Sequence, residues 1–296
     1  MRRFLLATAM AVTAAGAHAA DMPDFLRGSL PSDPTPTKNW DGWYAGGQVG
    51  YSSSADDFTQ SVAGLTNFIY RNSVLQQPTS SWSLLNKTNA QATGFGGFVG
   101  RNYQWDDLVF GVEANYNYIN GLATSTSDSM SRAIVNPPGE NPPAGHTHTY
   151  NVTLTGAAAA QVKDMITFRG RAGWATGNFL PYIFGGVAVG RMDVSRSVTS
   201  SGTLQDDYDT TTSTVIDGTA VTNTTHHTDV SQLQTLSQSQ ERTNIFAAGW
   251  TAGLGLEYCL WGNVFMRGEW EYVRFMSVEN TTVTMNSARA GIGYKF

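Results

Sequence analysis

The last eleven residues of the chain, 286–296, contain a strict alternation from Ser287 onward between apolar side chains and polar or small ones. The apolar series ends on the aromatic Phe296, and the opposite series carries Arg289 and Lys295. A period of two is the pattern of a β-strand whose two faces meet different environments. A strand that closes a membrane barrel is expected to leave an aromatic ring at the lipid interface. This ending therefore favours a membrane β-barrel over a soluble sheet.

The N-terminal residues have the three parts of a secretory signal. Arg2 and Arg3 are basic, residues 4–12 are apolar, and residues 17–19 read A-H-A, a small-residue cleavage site. The sequence predicts a cleaved signal peptide over 1–19 and, from its prolines, a periplasmic leader over 20–39. Loss of Arg2 and Arg3 takes the formal net charge from −5 to −7, which argues against a nucleic-acid partner.

Composition narrows the class of the exported chain. Apolar residues make up 41% of the sequence, yet no continuous run approaches the length of a transmembrane helix. The 31 glycines and 11% aromatic residues favour strands and turns. The single cysteine, Cys259, has no internal partner for a disulfide, and its role is open.

Alternation recurs along the chain from Trp43 onward. It is clearest in 108–118, where an unbroken apolar series ending in Tyr116 and Tyr118 faces Glu113. The register of the Gly-rich segment 92–103 is open, although an outward Val99 would also place Arg101 outward, so that it must snorkel to the interface. The predicted strands are 43–52, 92–103, 108–118, 166–174, 182–194, 245–258, 264–272 and 286–296.

Long polar connections alternate with short turns. The long ones are 53–90, 121–151 and 195–242, and the last has Ser or Thr at 20 of 48 positions, which places it in water. Four prolines exclude 121–151 from a sheet interior. Unequal connections of this kind are typical of outer-membrane barrels. The prediction is an all-β fold over 40–296: an eight-stranded antiparallel up-and-down transmembrane β-barrel with long extracellular loops.

The polar register of these strands is expected to face inward. An eight-stranded barrel has an interior just wide enough for side chains, and buried charges are tolerated there only when they are paired. A closed, charge-filled lumen is therefore predicted, with a narrow porin-like diffusion channel as the alternative. The predicted lumen network is Glu113, Arg169, Arg171, Glu257, Arg267, Glu269, Glu271, Arg289 and Lys295.

The aromatic residues of the apolar register fall into two bands, as expected where a barrel crosses two membrane interfaces. The alternative is the aromatic core of a soluble barrel. The periplasmic band is predicted to contain Trp43, Trp174, Tyr182, Tyr258, Tyr294 and Phe296. The outer band is predicted to contain Tyr51, Tyr116, Tyr118, Trp270 and Tyr272.

The sequence offers little material for catalysis. His146, His148, His226 and His227 lie in the long polar connections, and no predicted strand holds a histidine. A lipid-modifying barrel enzyme, the rival hypothesis, would need a base beside a serine at the outer rim. Two imidazoles without further ligands are a weak metal signal. No catalytic, cofactor-binding or metal residue is predicted, and the protein is expected not to be an enzyme.

Five segments resemble the OmpA-like outer-membrane β-barrel family, in particular its small immunogenic, porin-like surface proteins of Gram-negative bacteria. They include W-D-G-W-Y-A-G-G at 40–47 and G-I-G-Y-K-F at 291–296. The others are 111–114, 169–173 and 182–188.

The resemblance implies a protein of the cell outer membrane that supports envelope integrity and displays surface loops. Its implied partners are outer-membrane lipid and lipopolysaccharide, the assembly machinery through the C-terminal strand ending in Phe296, and a host or surface ligand at the loops. Unlike OmpA itself, the chain is expected to carry no peptidoglycan-binding domain. Loop-based adhesion is a further alternative, because 121–151 and 195–242 are long for the family.

Overall fold

The computed structural model describes residues 38–217 and 219–296, so the predicted signal peptide and most of the predicted leader lie outside the described residues. Strands dominate, with two short helices between the first two of them. The strands are β1 (Gly42–Asp57), β2 (Lys87–Trp105), β3 (Leu108–Val135), β4 (His146–Trp174), β5 (Phe179–Ile216), β6 (Thr219–Gln232), β7 (Leu236–Trp261), β8 (Val264–Phe275) and β9 (Thr282–Lys295). The helices are α1 (Ala63–Ile69) and α2 (Gln76–Ser80).

Eight of the strands form a closed antiparallel ring. β1 pairs with both β2 and β9, β4 pairs with β5, and β5 pairs with β7. β6 pairs only with the distal part of β5 and stands outside the ring. Closure leaves no unpaired strand edge where the ring meets lipid. The predicted eight-stranded antiparallel barrel is confirmed.

The alternation of side chains follows the predicted phase in most of the ring. On β8, for example, Met266 and Trp270 are 47% and 46% exposed, whereas Arg267 and Glu269 between them are buried. The open register of β2 is resolved in the same way, because Val99 faces outward while Phe98 is buried.

The polar connections 121–151 and 195–242 are not loops, which corrects the sequence-based expectation. β3 and β4 extend through most of 121–151, and only the turn 136–145, which holds all four prolines, separates them. The segment 195–242 likewise contains the distal half of β5, all of β6 and the start of β7. Threonine is a good strand former, and a ladder needs only backbone groups. These polar strands therefore form an outer sheet that continues from the ring.

The connection 58–86, called the lid below, contains both helices. Neither helix, among the residues that the structure describes, has the length and apolarity needed to cross a membrane. Helices of 7 and 5 residues gain little stability on their own, so packing must hold them. Phe58, Leu65 and Trp82 are buried against Leu154 of β4 and Val198 of β5. The polar loop expected over 53–90 is therefore a folded cap with an apolar core.

The barrel interior is layered along its axis. An inner apolar layer at the periplasmic end includes Tyr44, Leu180, Phe184 and Phe265. Going outward along β8, the charged residues of the predicted lumen network follow Phe265, and Val273 comes next. An outer apolar layer includes Ile119, Met165, Val273, Phe275 and Met285.

Candidate functional site: the charged layer of the barrel interior

The charged layer consists of eight buried side chains whose placement follows from strand register. Residues two apart on one strand face the same side, so β8 alone supplies three consecutive inward charges. Opposite charges also face each other across neighbouring strands, which favours pairing. The layer comprises Glu113, Arg169, Arg171, Glu257, Arg267, Glu269, Glu271 and Arg289. The direct cross-strand pairs are Glu113 with Arg169, Glu257 with Arg267, and Glu269 with Arg289.

Glu113 is the centre of the charged layer. Its Oε1 accepts hydrogen bonds from Nε and Nη2 of Arg169 at 3.0 and 2.5 Å. Its Oε2 accepts from Nη1 of Arg267 at 2.9 Å and from Nη1 of Arg171 at 3.3 Å. The Tyr44 hydroxyl donates to the same oxygen at 2.7 Å. One carboxylate thus holds three guanidinium groups from two strands.

The other carboxylates extend the network around the ring. Glu257 accepts from Nη1 of Arg171 at 2.8 Å. Nη2 of Arg169 lies 2.5 Å from Oε1 of Glu269, and its Nη1 lies 3.5 Å from Oε1 of Glu271. Together with Glu113, Arg169 therefore contacts three carboxylates. Glu271 accepts from Arg289 and, at 2.8 Å, from the hydroxyl of Thr251.

The layer is electrically balanced and dry. Four carboxylates oppose four guanidinium groups, and their side chains are 0–5% exposed. Removing such charges from water is costly, and only close pairing with further hydrogen bonds offsets the cost. The arrangement is therefore suited to holding strands together, because loss of any one member leaves a partner uncompensated.

Lys295 lies apart from the layer, which corrects its predicted place in the network. Its ammonium group donates to the backbone oxygen of Asn39 at the periplasmic rim. The inward space beside β9 at this level is already filled, because a side chain at Gly293 would collide with the Phe265 ring. A charge at the end of β9 therefore remains at the rim.

Aromatic rings cover three of the guanidinium groups. Arg169 lies 3.9 Å from the ring centroid of Phe184, Arg171 lies 3.9 Å from that of Tyr182, and Arg267 lies 3.4 Å from that of Phe98. Such cation–π contacts are strongest where water is excluded. They join the charged layer to the inner apolar layer.

Tyr182 is therefore an interior residue, and its assignment to the periplasmic girdle was wrong. It is 4% exposed, and its hydroxyl donates to Glu269 at 2.5 Å. Along β5, Pro181 and Ile183 face outward, whereas Leu180, Tyr182 and Phe184 point inward.

The other aromatic residues of the predicted girdles lie on the outer wall. Tyr258 and Tyr272 are half-buried there. The exposed ones are Trp43, Tyr51, Tyr116, Tyr118, Trp174, Trp270, Tyr294 and Phe296.

Three amide side chains extend the hydrogen-bond network of the charged layer, in addition to the charges predicted from the sequence. Gln48 donates to Asn117 at 2.6 Å and accepts from Nη2 of Arg267 at 2.7 Å. Asn115 donates to Glu113 at 2.7 Å. Their signal is present in the sequence, because all three share the inward register with the charges.

The histidines lie in the outer sheet, away from the charged layer. His146 Nδ1 is 2.9 Å from Asp206, and His148 Nδ1 is 2.6 Å from Glu140. Among the residues that the structure describes, no group of three or more His, Cys, Asp or Glu is arranged to hold a metal ion. Cys259 is buried at the periplasmic end, with Sγ 3.5 Å from the carbonyl of Gly262.

A closed eight-stranded ring with an apolar outer wall and a paired, charged interior defines an outer-membrane β-barrel. The family model described as "Outer membrane protein beta-barrel domain" matches residues 4–296, and the chain belongs to that family. Its place is accordingly the outer membrane.

Curated relatives carry names of the same class. The chain is 26% identical, over the full length of both chains, to the "31 kDa outer-membrane immunogenic protein" of Brucella melitensis and of Brucella suis. Neisserial surface protein A is a structural neighbour at 13% identity and a TM-score of 0.32, covering 86% of this chain and 97% of the other. The attachment invasion locus protein of Yersinia pestis is another, at 13% identity and a TM-score of 0.27, with 86% and 99% covered.

Proposed function

We propose that the protein is a non-enzymatic structural barrel, closed along its axis, that supports the envelope and carries a folded outer sheet at the cell surface. The observation behind this proposal is the order of the interior: a balanced charged layer lies between two apolar layers, and the lid covers the outer end. A diffusing solute would meet Phe184 and Phe265 on one side and Phe275 and Met285 on the other.

Surface display is the second part of the proposal. The outer sheet is strongly polar and extends well past the outer aromatic band. Among the described strands, β6 pairs with β5 alone, so the β5–β6 hairpin is joined to the rest of the sheet through β5. The relatives from Brucella are named immunogenic, which agrees with exposure of such a surface. Lipopolysaccharide around the outer wall and the assembly machinery acting on β9 are the partners that this placement would require.

Wild-type protein and one variant, each expressed in a strain lacking the chromosomal copy, separate these roles. Wild-type protein should restore resistance to detergent and to bulky antibiotics. A variant in which 205–230 is replaced by a two-residue turn should restore resistance equally, because 205–230 lies beyond Ser200, the last residue of β5 that pairs with β7. The same variant should lose binding of antibodies raised against intact cells. Unchanged detergent sensitivity in the strain without the protein would contradict the envelope role, and undiminished antibody binding would contradict display by the hairpin.

A lipid-modifying activity makes a different prediction for the same strains. Lipid A isolated with and without the protein should have identical acyl chains. A change in acylation that disappears on substitution of His146 or His148 would overturn the non-enzymatic proposal.

A further inference from the structure

Arg101 is a cationic side chain on the outer wall of the barrel. It lies on β2, directly across from Trp43 on one side and Val112 on the other. The register places it outward, between the exposed Val99 and Tyr103. Its guanidinium carbon is 5.7 Å from the ring centroid of Trp43 and 4.9 Å from that of Tyr103.

The guanidinium of Arg101 has no protein counter-charge. Within the part of the chain that the structure describes, no carboxylate lies within 4.0 Å of it, and its Nε is shielded from solvent without a hydrogen-bond partner. Two other cations of the barrel strands are neutralised: Lys163 pairs with Asp193 at 2.6 Å, and Arg191 pairs with Asp164. A cation on a lipid-facing wall is unfavourable unless it reaches an anion or the interface.

An apolar groove adjoins Arg101. It has a volume of about 420 Å³. Its outward-facing apolar lining is provided by Trp43, Val99, Val112, Ala114 and Phe168. The groove is recessed because Ala114 and Gly170, which lies across from Val112, are small.

The position of Arg101 along the barrel axis determines which leaflet of the membrane the site meets. Arg101 is four residues from the end of β2, whose short turn leads to β3 on the side opposite the lid. The exposed rings of Trp43 and Trp105 mark this end of the wall, and aromatic rings gather at membrane interfaces. A cation on the outer wall at this level is within reach of the phosphates of the periplasmic leaflet.

We propose that Arg101 and this groove form a binding site for one phospholipid of the periplasmic leaflet. The guanidinium donates hydrogen bonds to the lipid phosphate, a geometry for which its planar fork is suited. An acyl chain lies in the groove between Val99 and Phe168. A second apolar groove, lined by Met266 and Ile292 on the neighbouring part of the wall, has a larger volume, about 720 Å³. Its lining has no outward cation, so it offers only apolar contacts to an acyl chain.

Native mass spectrometry tests the site on protein released from nanodiscs of phosphatidylethanolamine and phosphatidylglycerol. Wild-type protein should retain one phospholipid at collision energies that strip the rest. Arg101→Gln should lower the retained fraction at least about tenfold, as expected for loss of a charge-assisted hydrogen bond. Ala114→Phe, which fills the groove and leaves Arg101 in place, should also lower it.

Arg274→Gln is the matched control, because Arg274 is an exposed arginine at the opposite, outer end of the barrel, on β8. It should retain lipid like the wild type. Equal retention by Arg101→Gln and Arg274→Gln would overturn the site. If Arg101→Gln fails to give the heat-modified mobility of a folded barrel, undiminished retention in Ala114→Phe would overturn it instead. With lipopolysaccharide added, its retention in place of phospholipid would overturn the assignment to the periplasmic leaflet.

Discussion

The interior of the molecule is filled in two different ways, one within the outer membrane and the other beyond its outer surface. Within the membrane, the charged layer joins strands through directed contacts, and Glu113 alone accepts hydrogen bonds from three arginines. Above the membrane, the lid packs against the inner face of the outer sheet through apolar side chains around Phe58 and Leu85. The comparison indicates that the membrane-embedded part depends on exact partner identity, whereas the lid depends on volume.

The two fillings also differ in the consequences of a single change. A buried ion that loses its partner keeps the cost of its desolvation. A truncated apolar side chain loses its transfer free energy and leaves a cavity that the surroundings can partly fill. The following predictions use this difference, from the largest expected effect to the smallest.

Glu113→Gln should have the largest effect, since it removes the acceptor charge shared by Arg169, Arg171 and Arg267. Breaking a buried ion pair costs about 3–5 kcal/mol, and the upper end is expected here. Urea unfolding of the reconstituted barrel, followed by heat-modified gel mobility, measures this cost. Glu241→Gln is the control, because Glu241 is exposed in the outer sheet. Equal midpoints for the two variants would contradict the central place of Glu113.

Arg289→Ala should destabilise the barrel by about 3 kcal/mol, at the lower end of the range for a broken buried pair. Glu271 would lose its closest cation but keep the hydrogen bond from Thr251 and the guanidinium of Arg169 at 3.5 Å. The same unfolding assay applies, with Arg274→Ala as the exposed control. An unfolding curve identical to that of the control would contradict a stabilising role for Arg289, the residue that β9 contributes to the charged layer.

Leu85→Ala should destabilise the lid by about 2–3 kcal/mol, because Leu85 is buried in its core. The expected result is faster proteolysis within 58–86 with the ring still heat-modifiable. Phe68→Ala, at an exposed position of α1, should be cut at the wild-type rate. Loss of the folded ring in Leu85→Ala would show that lid and ring are not separable.

Asp56 is expected to make the stability of the lid depend on pH. It lies at the end of β1 beside the lid, where burial raises the pKa of its carboxyl to about 6 despite the hydrogen bond from Thr124. A carboxyl with a raised pKa in the folded state binds its proton more tightly when folded, so stability falls as pH rises from about 4 to about 6. Asp56→Asn should therefore stabilise the lid by roughly 2 kcal/mol at pH 7.5.

The same substitution should have little effect at or below about pH 3, where Asp56 is mostly protonated in both the folded and unfolded states. Lid proteolysis at the two pH values measures the difference. A stabilisation of equal size at both would show that charge at Asp56 is not its cause.

The sequence was most informative where the two faces of a strand differ strongly. On β8, the contrast of Met266 and Trp270 with Arg267 and Glu269 is enough to predict which face points inward. Eight of the nine predicted charges accordingly meet in one layer. The phase of Tyr182 could not be obtained in this way, because the surrounding segment is rich in apolar and glycine residues on both faces.

The outer half carried weaker signals. Ser and Thr on both faces of β5 and β6 give no contrast, so alternation could not distinguish strands from loops there. The lid depends on contacts between residues far apart in sequence, such as Tyr70 with Ser200, which no local pattern contains. The apolar layers had a local signal, since Phe265 and Phe275 share the inward register of the charges, but the prediction of a polar lumen followed the charges alone.

Single-channel recording in planar bilayers tests most directly whether the layered interior is closed. Wild-type protein, shown to be folded by its heat-modified mobility, should give no stable current steps across the voltage range that the bilayer withstands. Reproducible openings of the wild-type protein, absent from bilayers that received heat-denatured protein, would contradict the closed interior.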